Sequence, residues 1–240
     1  MTSSLGDELF ESSAGMAGAT NYSDWTYSLF EPLVRGSVLE VGCGIGTFTR
    51  RLARAPGVSR LLSIDISEAA VARCAASVQA PGLEVRRADV REVSGHFDLV
   101  LCMNVLEHIE DDQGALRHML RLLAPGGTLF LLVPSHQWLY SSFDRESGHW
   151  RRYNKRHMQQ LLARVTADAP VRIRQFYFNS IGALGYGVVY KLLRKSPRAD
   201  ASGEIGWFDR VVVPVQRRIE GPLTPFGISL VSVITRATPP

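Results

Sequence analysis

The sequence predicts an α/β protein in which a parallel sheet is covered by helices on both faces. The first observation is that short apolar segments alternate with segments of helical periodicity between residues 37 and 135. The second is that most of these apolar segments show no polar face, which is typical of strands buried on both sides of a parallel sheet. Hydrophobic residues make up 45% of the 240 residues and charged residues 21%, as in ordinary globular domains.

The elements up to residue 134 follow the order strand, helix, strand, helix, strand, strand, helix, strand. Apolar stretches predict strands at 37–42, 60–65, 83–89, 97–104 and 128–134. Helical patterns predict helices at 46–55, 67–80 and 111–127. Ser67 is a suitable N-cap for the second helix, and a proline followed by glycine ends the third.

The pattern changes after Pro134, where aromatic and charged residues dominate. A helix is predicted from about Lys155, and alternating residues predict a strand at 171–178. The last strand is predicted at 227–236. The insertion between these two strands contains the segment 194–204, RKSPRADASGE, whose composition predicts a mobile loop.

Charge and cysteine content narrow the class of protein. The net charge is +4 with no dominant block of lysine and arginine, so we expect no nucleic-acid partner. Cys43, Cys74 and Cys102 fit neither a disulfide framework nor a zinc pattern. We therefore predict no metal site and a reducing, cytoplasmic location.

The termini and apolar stretches carry no targeting pattern. The first 18 residues lack the basic start and apolar core of a signal peptide, and residues 1–20 are predicted to be a flexible segment. The most apolar stretch, 176–193, holds an asparagine, a lysine and three glycines and does not predict a membrane span.

Three closely spaced glycines follow the first predicted strand, in the segment 38–52, VLEVGCGIGTFTRRL. A glycine turn between a parallel strand and a helix brings backbone N–H groups to the sheet edge where ligands bind. The spacing G-x-G-x-G differs from the dinucleotide fingerprint, and no lysine follows as in a Walker loop. Asp65 ends the second strand, where a carboxylate can accept hydrogen bonds from ribose hydroxyls. Asp89 ends the third, within reach of an adenine amine.

The ordered series EVGCGIGTFT, IDIS, RRADV, FDLVLCMNVLEHI and LAPGGTLFLLVP resembles the successive motifs of class I S-adenosylmethionine-dependent methyltransferases. The resemblance covers roughly residues 21–135. It implies a Rossmann-like, doubly wound sheet of seven strands, mostly parallel with the last strand antiparallel. It also implies S-adenosyl-L-methionine as the cofactor and one methyltransferase domain over residues 21–240.

The resemblance assigns ten residues to the cofactor: Tyr22, Glu40, Gly42, Cys43, Gly44, Asp65, Ile66, Asp89, Val90 and Asn104. Glu40 and the first two glycines of the turn would lie against the methionine and ribose. Asp65 would bind the ribose hydroxyls, and Asp89 would hold the adenine edge. Asn104 would lie near the methionine amine, and Tyr22 near its carboxylate.

The segment 141–158, SSFDRESGHWRRYNKRHM, is the densest in polar side chains and follows the fifth strand, where an acceptor is expected. His149 is the first candidate for removing a proton from the acceptor near neutral pH. His108, after the fourth strand, is a second candidate, with a structural role as its alternative. Tyr153 completes the candidate catalytic set.

Three further residues of this region are candidates for binding the substrate. Tyr140 would orient the acceptor, and Arg151 and Arg152 would pair with an anionic group on it. The alternative is a solvated loop in which the arginines pair with Asp144 and Glu146.

The predicted function is transfer of a methyl group to O, N or C of a small-molecule acceptor, such as a natural product, quinone, sugar or lipid-linked compound. The alternatives are a non-catalytic binding scaffold or sensor and a nicotinamide oxidoreductase. Segments 136–160 and 179–226 are predicted to form the acceptor-side insertion, as a lid or acceptor wall. Peripheral membrane contact of the second segment is an alternative that we do not favour.

Overall fold

A seven-stranded sheet forms the centre of the computed structural model, which describes residues 18–166, 170–188, 206–221 and 224–238. The strands are β1 Gly36–Val41, β2 Val58–Asp65, β3 Leu83–Arg87, β4 Phe97–Met103, β5 Leu123–Pro134, β6 Val171–Phe178 and β7 Ser229–Arg236. They lie in the order β3-β2-β1-β4-β5-β7-β6. Only β7 runs antiparallel to its neighbours in this sheet, which confirms the predicted fold class.

Helices cover both faces of the sheet. The described helices are α1 Thr20–Phe30, α2 Thr49–Leu52, α3 Glu68–Ser77, α4 Asp112–Arg121, α5 Ser142–Glu146, α6 Lys155–Val165, α7 Ser180–Tyr186 and α8 Val213–Ile219. A π-helical turn, Phe208–Val212, leads directly into α8. None of the helices in the described ranges is long and apolar enough to cross a membrane.

Neighbouring residues of each central strand belong to two different cores. On β1, Val38 packs with α1 and α2, whereas Leu39 and Val41 pack with α4 and α6 on the opposite face. Strands β4 and β5 contribute to both cores in the same alternating way. Because both faces are covered, these strands are apolar on both sides, as the sequence pattern predicted.

The first two predicted helices differ in how well they match the structure. The helix predicted at 46–55 is limited to Thr49–Leu52, because residues 43–46 form a hydrogen-bonded turn in which the Gly46 N–H donates to the Cys43 carbonyl. The second helix begins after Ser67, whose side chain accepts a hydrogen bond from the Ala70 N–H, and this cap is confirmed.

The third predicted helix is shorter than expected. Helix α4 ends at Arg121, and the residues after it already belong to β5. Gly127 lies so close to β4 that a Cβ there would be 2.8 Å from the Phe97 carbonyl oxygen. The proline and glycines therefore form an irregular start to the strand, where the register with β4 shifts, and do not cap the helix.

Several predictions concern residues outside the described ranges. Residues 1–17, most of the predicted flexible segment, and the predicted loop 194–204 lie outside them. Within the described part of the insertion, α8 packs on the sheet side that carries α1. Helix α7 follows β6, and the Ser180 N–H at its start donates to the carboxylate of Glu220, directly after α8. The domain boundaries stay a prediction.

Candidate active site

The loop after β1 is built from three glycines with positive φ angles. Gly42 has φ +83°, Gly44 +51° and Gly46 +83°, a region that side chains with a Cβ rarely occupy. A Cβ on Gly42 would overlap Cγ2 of Val105, and one on Gly46 would lie 3.1 Å from Sγ of Cys74. These glycines therefore allow the loop to lie close to its neighbours as well as exposing its backbone.

Asp65, at the end of β2, lies beside this loop. One of its carboxylate oxygens accepts a hydrogen bond from the Gly44 N–H at 3.0 Å, and the other accepts from the Ser67 N–H at 3.0 Å. The next residue, Ile66, is 41% exposed. The glycine loop, Asp65 and Ile66 together form a cradle with an acceptor-only carboxylate and an exposed apolar side chain. This set of groups fits a ligand that offers ribose hydroxyls and an apolar base.

Glu40 lies beneath the cradle and is buried. One oxygen of its carboxyl group accepts hydrogen bonds from the hydroxyls of Thr49, at 2.6 Å, and Ser63, at 2.7 Å. Burial raises the pKa of Glu40 to about 8, although these hydrogen bonds oppose the shift. Cys43 is also buried, and a hydrogen bond with Cys74 together with burial raises the pKa of its thiol. Both groups are therefore favoured in their neutral forms.

Asp89 differs from its predicted position. Strand β3 ends at Arg87, and Asp89 instead caps the short turn Val90–Glu92. The Arg91 guanidinium donates hydrogen bonds to both carboxylate oxygens, at 2.9 and 2.6 Å, and this lowers the pKa of Asp89. The Asp89 oxygen that accepts the 2.6 Å bond keeps a further lone pair, so the ion pair with Arg91 does not prevent Asp89 from accepting a hydrogen bond from an adenine amine. Val90, predicted beside it, has a buried side chain, so its side chain belongs to the core.

Helix α1 carries Tyr22 and is held by the insertion. The Tyr22 N–H donates to one carboxylate oxygen of Asp209 at 2.8 Å, and the Asn21 N–H donates to the other at 3.1 Å. The Tyr22 ring lies 5.8 Å from the ring of Phe178, and burial raises the pKa of its hydroxyl. Asn104, after β4, has φ +52°, and its N–H donates to the Leu132 carbonyl.

A second group of polar side chains surrounds Asp144 in α5. Asp144 is buried and accepts hydrogen bonds from Nδ1 of His149 at 2.8 Å, from Nε of Arg152 at 2.7 Å and from the Tyr186 hydroxyl at 2.8 Å. Burial acts to raise its pKa, but the bonds from His149 and Arg152 outweigh burial and hold the pKa of Asp144 well below its usual range. The charged carboxylate therefore fixes His149 with Nδ1 as donor and leaves Nε2 to face other groups.

The turn Leu106–His108 brings two more titratable groups to His149. The ring centroid of His149 lies 4.6 Å from the ring centroid of His108, and the two rings are nearly perpendicular. Burial, together with the neighbouring His149, lowers the pKa of His108 to about 4. Glu107 is completely buried, and within the described residues neither of its carboxylate oxygens has a hydrogen-bond partner. Burial raises the pKa of Glu107 to about 8.

Known proteins resemble this chain over the segment that builds the cradle. A family model described as a methyltransferase domain matches residues 39–131, the segment from β1 to β5. The trans-aconitate 2-methyltransferase of Deinococcus radiodurans is 29% identical over 196 residues, which are 77% of this chain and 72% of that protein. The ubiquinone biosynthesis O-methyltransferase of Xanthomonas oryzae is 34% identical over 103 residues, 41% of this chain and only 43% of that protein.

A solved structure matches almost the whole chain. It is the N-methyltransferase NodS of Bradyrhizobium japonicum in complex with S-adenosyl-L-homocysteine, with a TM-score of 0.53 and 18% identity, over 98% of this chain and 96% of that one. This likeness shows the fold. Residues 39–131 form a methyltransferase domain, and the named relatives support S-adenosylmethionine-dependent methyl transfer as the activity. The cofactor is S-adenosylmethionine, and the oxidoreductase alternative is set aside.

The methyltransferase uses its predicted substrate-binding residues to fix its own loops. Arg151 forms an ion pair with Asp112 at 2.7 Å and donates to the Glu110 carbonyl. Arg152 is buried and donates to Asp144, as the alternative to substrate binding predicted. The Tyr140 hydroxyl donates to the backbone carbonyl of His149 at 2.7 Å. In this arrangement the polar groups of all three are engaged by the protein.

Tyr153 lies in the core of the protein. Its side chain is completely buried, and its hydroxyl donates to the carboxylate of Asp112 at 2.9 Å. This burial raises the pKa of the phenol beyond the physiological range. In this structure Tyr153 is thus a core residue that fixes the start of α4, and its part in the reaction stays a prediction.

Sequence reasoning missed three acidic residues that organise the methyltransferase. Asp144 was considered only as a partner of arginine, Glu107 only as part of a motif, and Asp209 not at all. A sequence signal existed for Glu107, because an acid between a leucine and a histidine directly after a buried strand lies at the ligand edge of the sheet. Asp209 acts across a long sequence separation, and Asp144 acts within a loop whose folding the sequence pattern does not show, so neither carried such a signal.

Proposed function

We propose that this methyltransferase transfers a methyl group to a small-molecule acceptor that carries a removable proton on oxygen or nitrogen. The observation that carries the proposal is the Asp144–His149 pair. Because Asp144 accepts the Nδ1 proton, the Nε2 lone pair of His149 is available beyond the carboxyl edge of the sheet. Acceptors methylated on carbon were also predicted, but they have less need of such a group.

The cofactor is proposed to lie in the cradle after β1. Asp65 would accept hydrogen bonds from the ribose, with Ile66 against the base and the glycine loop against the methionine end. The bound sulfonium supplies an activated methyl group. The residues of the chain supply position and exclude water. Tyr22, Glu40, Cys43, Asp89, Val90 and Asn104 stay proposed as the surrounding cofactor residues, several of them through backbone or supporting contacts.

The insertion is proposed to form a wall of the acceptor site. Tyr186, in α7, donates to Asp144 and lies 2.7 Å from the Ser141 hydroxyl, while the Arg152 guanidinium lies 4.3 Å above its ring. Asp209 holds the start of α1 from the other described part of the insertion. These contacts connect the insertion to both the cofactor side and the acceptor side.

The relatives suggest which acceptors to test first. One is named as acting on trans-aconitate and another on an intermediate of ubiquinone biosynthesis. We therefore propose hydroxylated aromatic compounds as the first acceptor panel. Tricarboxylates are the contrasting panel, because an ionised carboxylate has no proton to remove and its methylation should not depend on His149. The buried free thiols Cys43, Cys74 and Cys102 support a reducing compartment as the place of action.

The test is release of S-adenosylhomocysteine in the presence of each acceptor. We expect turnover with at least one acceptor, and a loss of about tenfold or more in kcat for His149→Ala with cofactor affinity unchanged. His96→Ala, an exposed histidine elsewhere, is the matched control. Cofactor binding without turnover on any acceptor, including a wider library, would favour the non-catalytic scaffold. Full activity in His149→Ala would remove this residue from the reaction.

A further inference from the structure

We propose that Glu107, His108 and His149 bind one divalent transition-metal ion. Each of the three offers one ligand atom, and these atoms lie within 4.8 Å of one another. Ligand atoms around one tetrahedral zinc ion lie about 3.4 Å apart, given metal–ligand distances of about 2.0–2.2 Å. Small rotations of the three side chains therefore bring them into coordination distance.

Glu107 gives the strongest support for a cation. Its side chain is completely buried, and neither oxygen receives a hydrogen bond from any residue that the structure describes. Buried carboxylates in proteins are paired, hydrogen-bonded or bound to metal, because isolation from water is costly. The nearest cationic influence is Arg152, which already donates to Asp144. Among the described residues, no side chain donates a hydrogen bond to this carboxyl group.

The two histidines are oriented as metal ligands are. His149 donates its Nδ1 proton to Asp144, which leaves Nε2 as the coordinating atom and supplies the outer carboxylate that metal-bound histidines commonly have. Nδ1 of His108 is buried and has no hydrogen-bond partner among the described residues. Two imidazoles and one carboxylate suit zinc, iron or manganese and do not suit calcium or magnesium.

The position of the cluster gives the ion a use. The turn that carries Glu107 and His108 begins next to Val105, whose side chain lies against Gly42 of the cofactor cradle. Three protein ligands leave coordination positions open, as in catalytic metal sites. An acceptor hydroxyl in an open position would lose its proton to water more easily, because a bound cation lowers the pKa of a coordinated oxygen. His149 would be a ligand in the ion-loaded enzyme, and its Nε2 would remain free to accept the proton in the ion-free enzyme. This role rests on the proposed function, whereas binding of the ion does not.

The test uses the full chain, stripped with a chelator and dialysed. Titration with Co²⁺ is followed by its visible absorption, and titration with Zn²⁺ by calorimetry. We expect one ion per chain for the wild type and at least tenfold weaker binding for Glu107→Gln and for His149→Ala. His96→Ala, which changes an exposed histidine outside the cluster, should bind the ion as the wild type does.

Each variant is checked for folding by its affinity for S-adenosylhomocysteine, which does not need the ion. The inference is overturned if the wild type binds no ion in a saturable way, or if all variants bind it equally. Acceptor turnover that persists in the stripped enzyme would overturn the role of the ion in the reaction and leave the proposed function intact. Saturable Co²⁺ binding without turnover on any acceptor would support the metal site and contradict the proposed function.

Discussion

Glu40 shows how a buried acid is kept inside a sheet. Its carboxyl oxygen accepts hydrogen bonds from Thr49, on α2, and Ser63, on β2, so three elements meet at one atom. The hydroxyls compensate only part of the cost of burial, and the pKa rises to about 8 from an ordinary value near 4.5. The protonated form is therefore the more stable one in the folded protein over most of the physiological pH range.

This shift predicts how stability depends on pH. The stabilising contribution of the raised pKa is fully present below about pH 4.5 and is lost as the pH rises through about 8. Glu40→Gln keeps the shape and removes the titration, and the two hydroxyls can adjust their donor and acceptor roles. We expect the wild type to lose up to about 1.4 kcal/mol per pH unit relative to this variant. Urea unfolding at several pH values measures the free energy of unfolding of both proteins. If the two free energies change with pH in parallel, the raised pKa of Glu40 is contradicted.

Asp65 is the residue on which the cofactor assignment depends most. Asp65→Ala is expected to weaken S-adenosylhomocysteine binding by about 10- to 100-fold, since hydrogen bonds to a charged group contribute about 1.5–3 kcal/mol. Asp65→Asn should lose less, because the amide keeps one acceptor oxygen. Asp98→Ala is a matched control, as its carboxylate accepts from the Ser37 N–H at the opposite edge of the sheet. If calorimetry finds that Asp65→Ala binds S-adenosylhomocysteine as tightly as Asp98→Ala does, the assignment of Asp65 to the ribose is wrong.

At the scale of elements, the glycine loop and the turn after β4 determine each other's position. Gly42 has a positive φ, and a side chain there would overlap Val105, which precedes the turn carrying Glu107. The cofactor loop and the acceptor-side cluster are therefore in direct contact. A substitution that shifts the cofactor loop is therefore expected to shift the turn that carries Glu107 as well.

Gly42→Ala tests this contact. The substitution combines the strain of a positive φ, about 1–3 kcal/mol, with the overlap on Val105, so we expect lower stability and weaker cofactor binding. Gly95→Ala is the control for strain alone, because Gly95 has φ +103° and open space around a Cβ. Adding Val105→Ala should recover part of the loss in Gly42→Ala. Urea unfolding of Gly42→Ala, Val105→Ala and the double variant, beside Gly95→Ala, measures the coupling, and strict additivity of the two single effects would contradict it.

The elements also show what the sequence could and could not predict. Strands with continuous apolar runs leave a local pattern because they are buried on both faces, and β4, predicted at 97–104, ends only one residue earlier. The helix predicted at 111–127 was too long because proline and glycine serve equally as helix ends and as irregular strand starts. Asp65 and the glycine loop had local signals. The pairing of His149 with Asp144 had none, since the choice of that carboxylate depends on how the loop folds back.

At the scale of the molecule, the sheet holds the two halves of the site, and helix α1 is joined to the insertion between β6 and β7. Helix α1 begins at Thr20, and its first N–H groups donate to Asp209, far along the sequence. This carboxylate is the helix cap that α1 lacks locally, because Ala19 offers no side-chain acceptor. The N-terminal helix and the insertion are thus expected to move as one unit.

Hydrogen exchange measures whether they do. Asp209→Ala leaves the Asn21 and Tyr22 N–H groups without their acceptor, and we expect amides of residues 20–30 to exchange at least about tenfold faster, since such a bond to a charged group contributes about 1.5–3 kcal/mol. If Tyr22 contacts the cofactor as proposed, S-adenosylhomocysteine should slow this exchange in the wild type and much less in the variant, because the start of α1 is no longer held by Asp209. Strands β1 and β4 should be unaffected in both, as central strands open only with the whole fold. Glu68→Ala, an exposed acid in the first turn of α3, is the control. If α1 exchanges at the same rate in Asp209→Ala and in this control, the helix does not depend on the insertion, and the expectation that the two move as one unit is wrong.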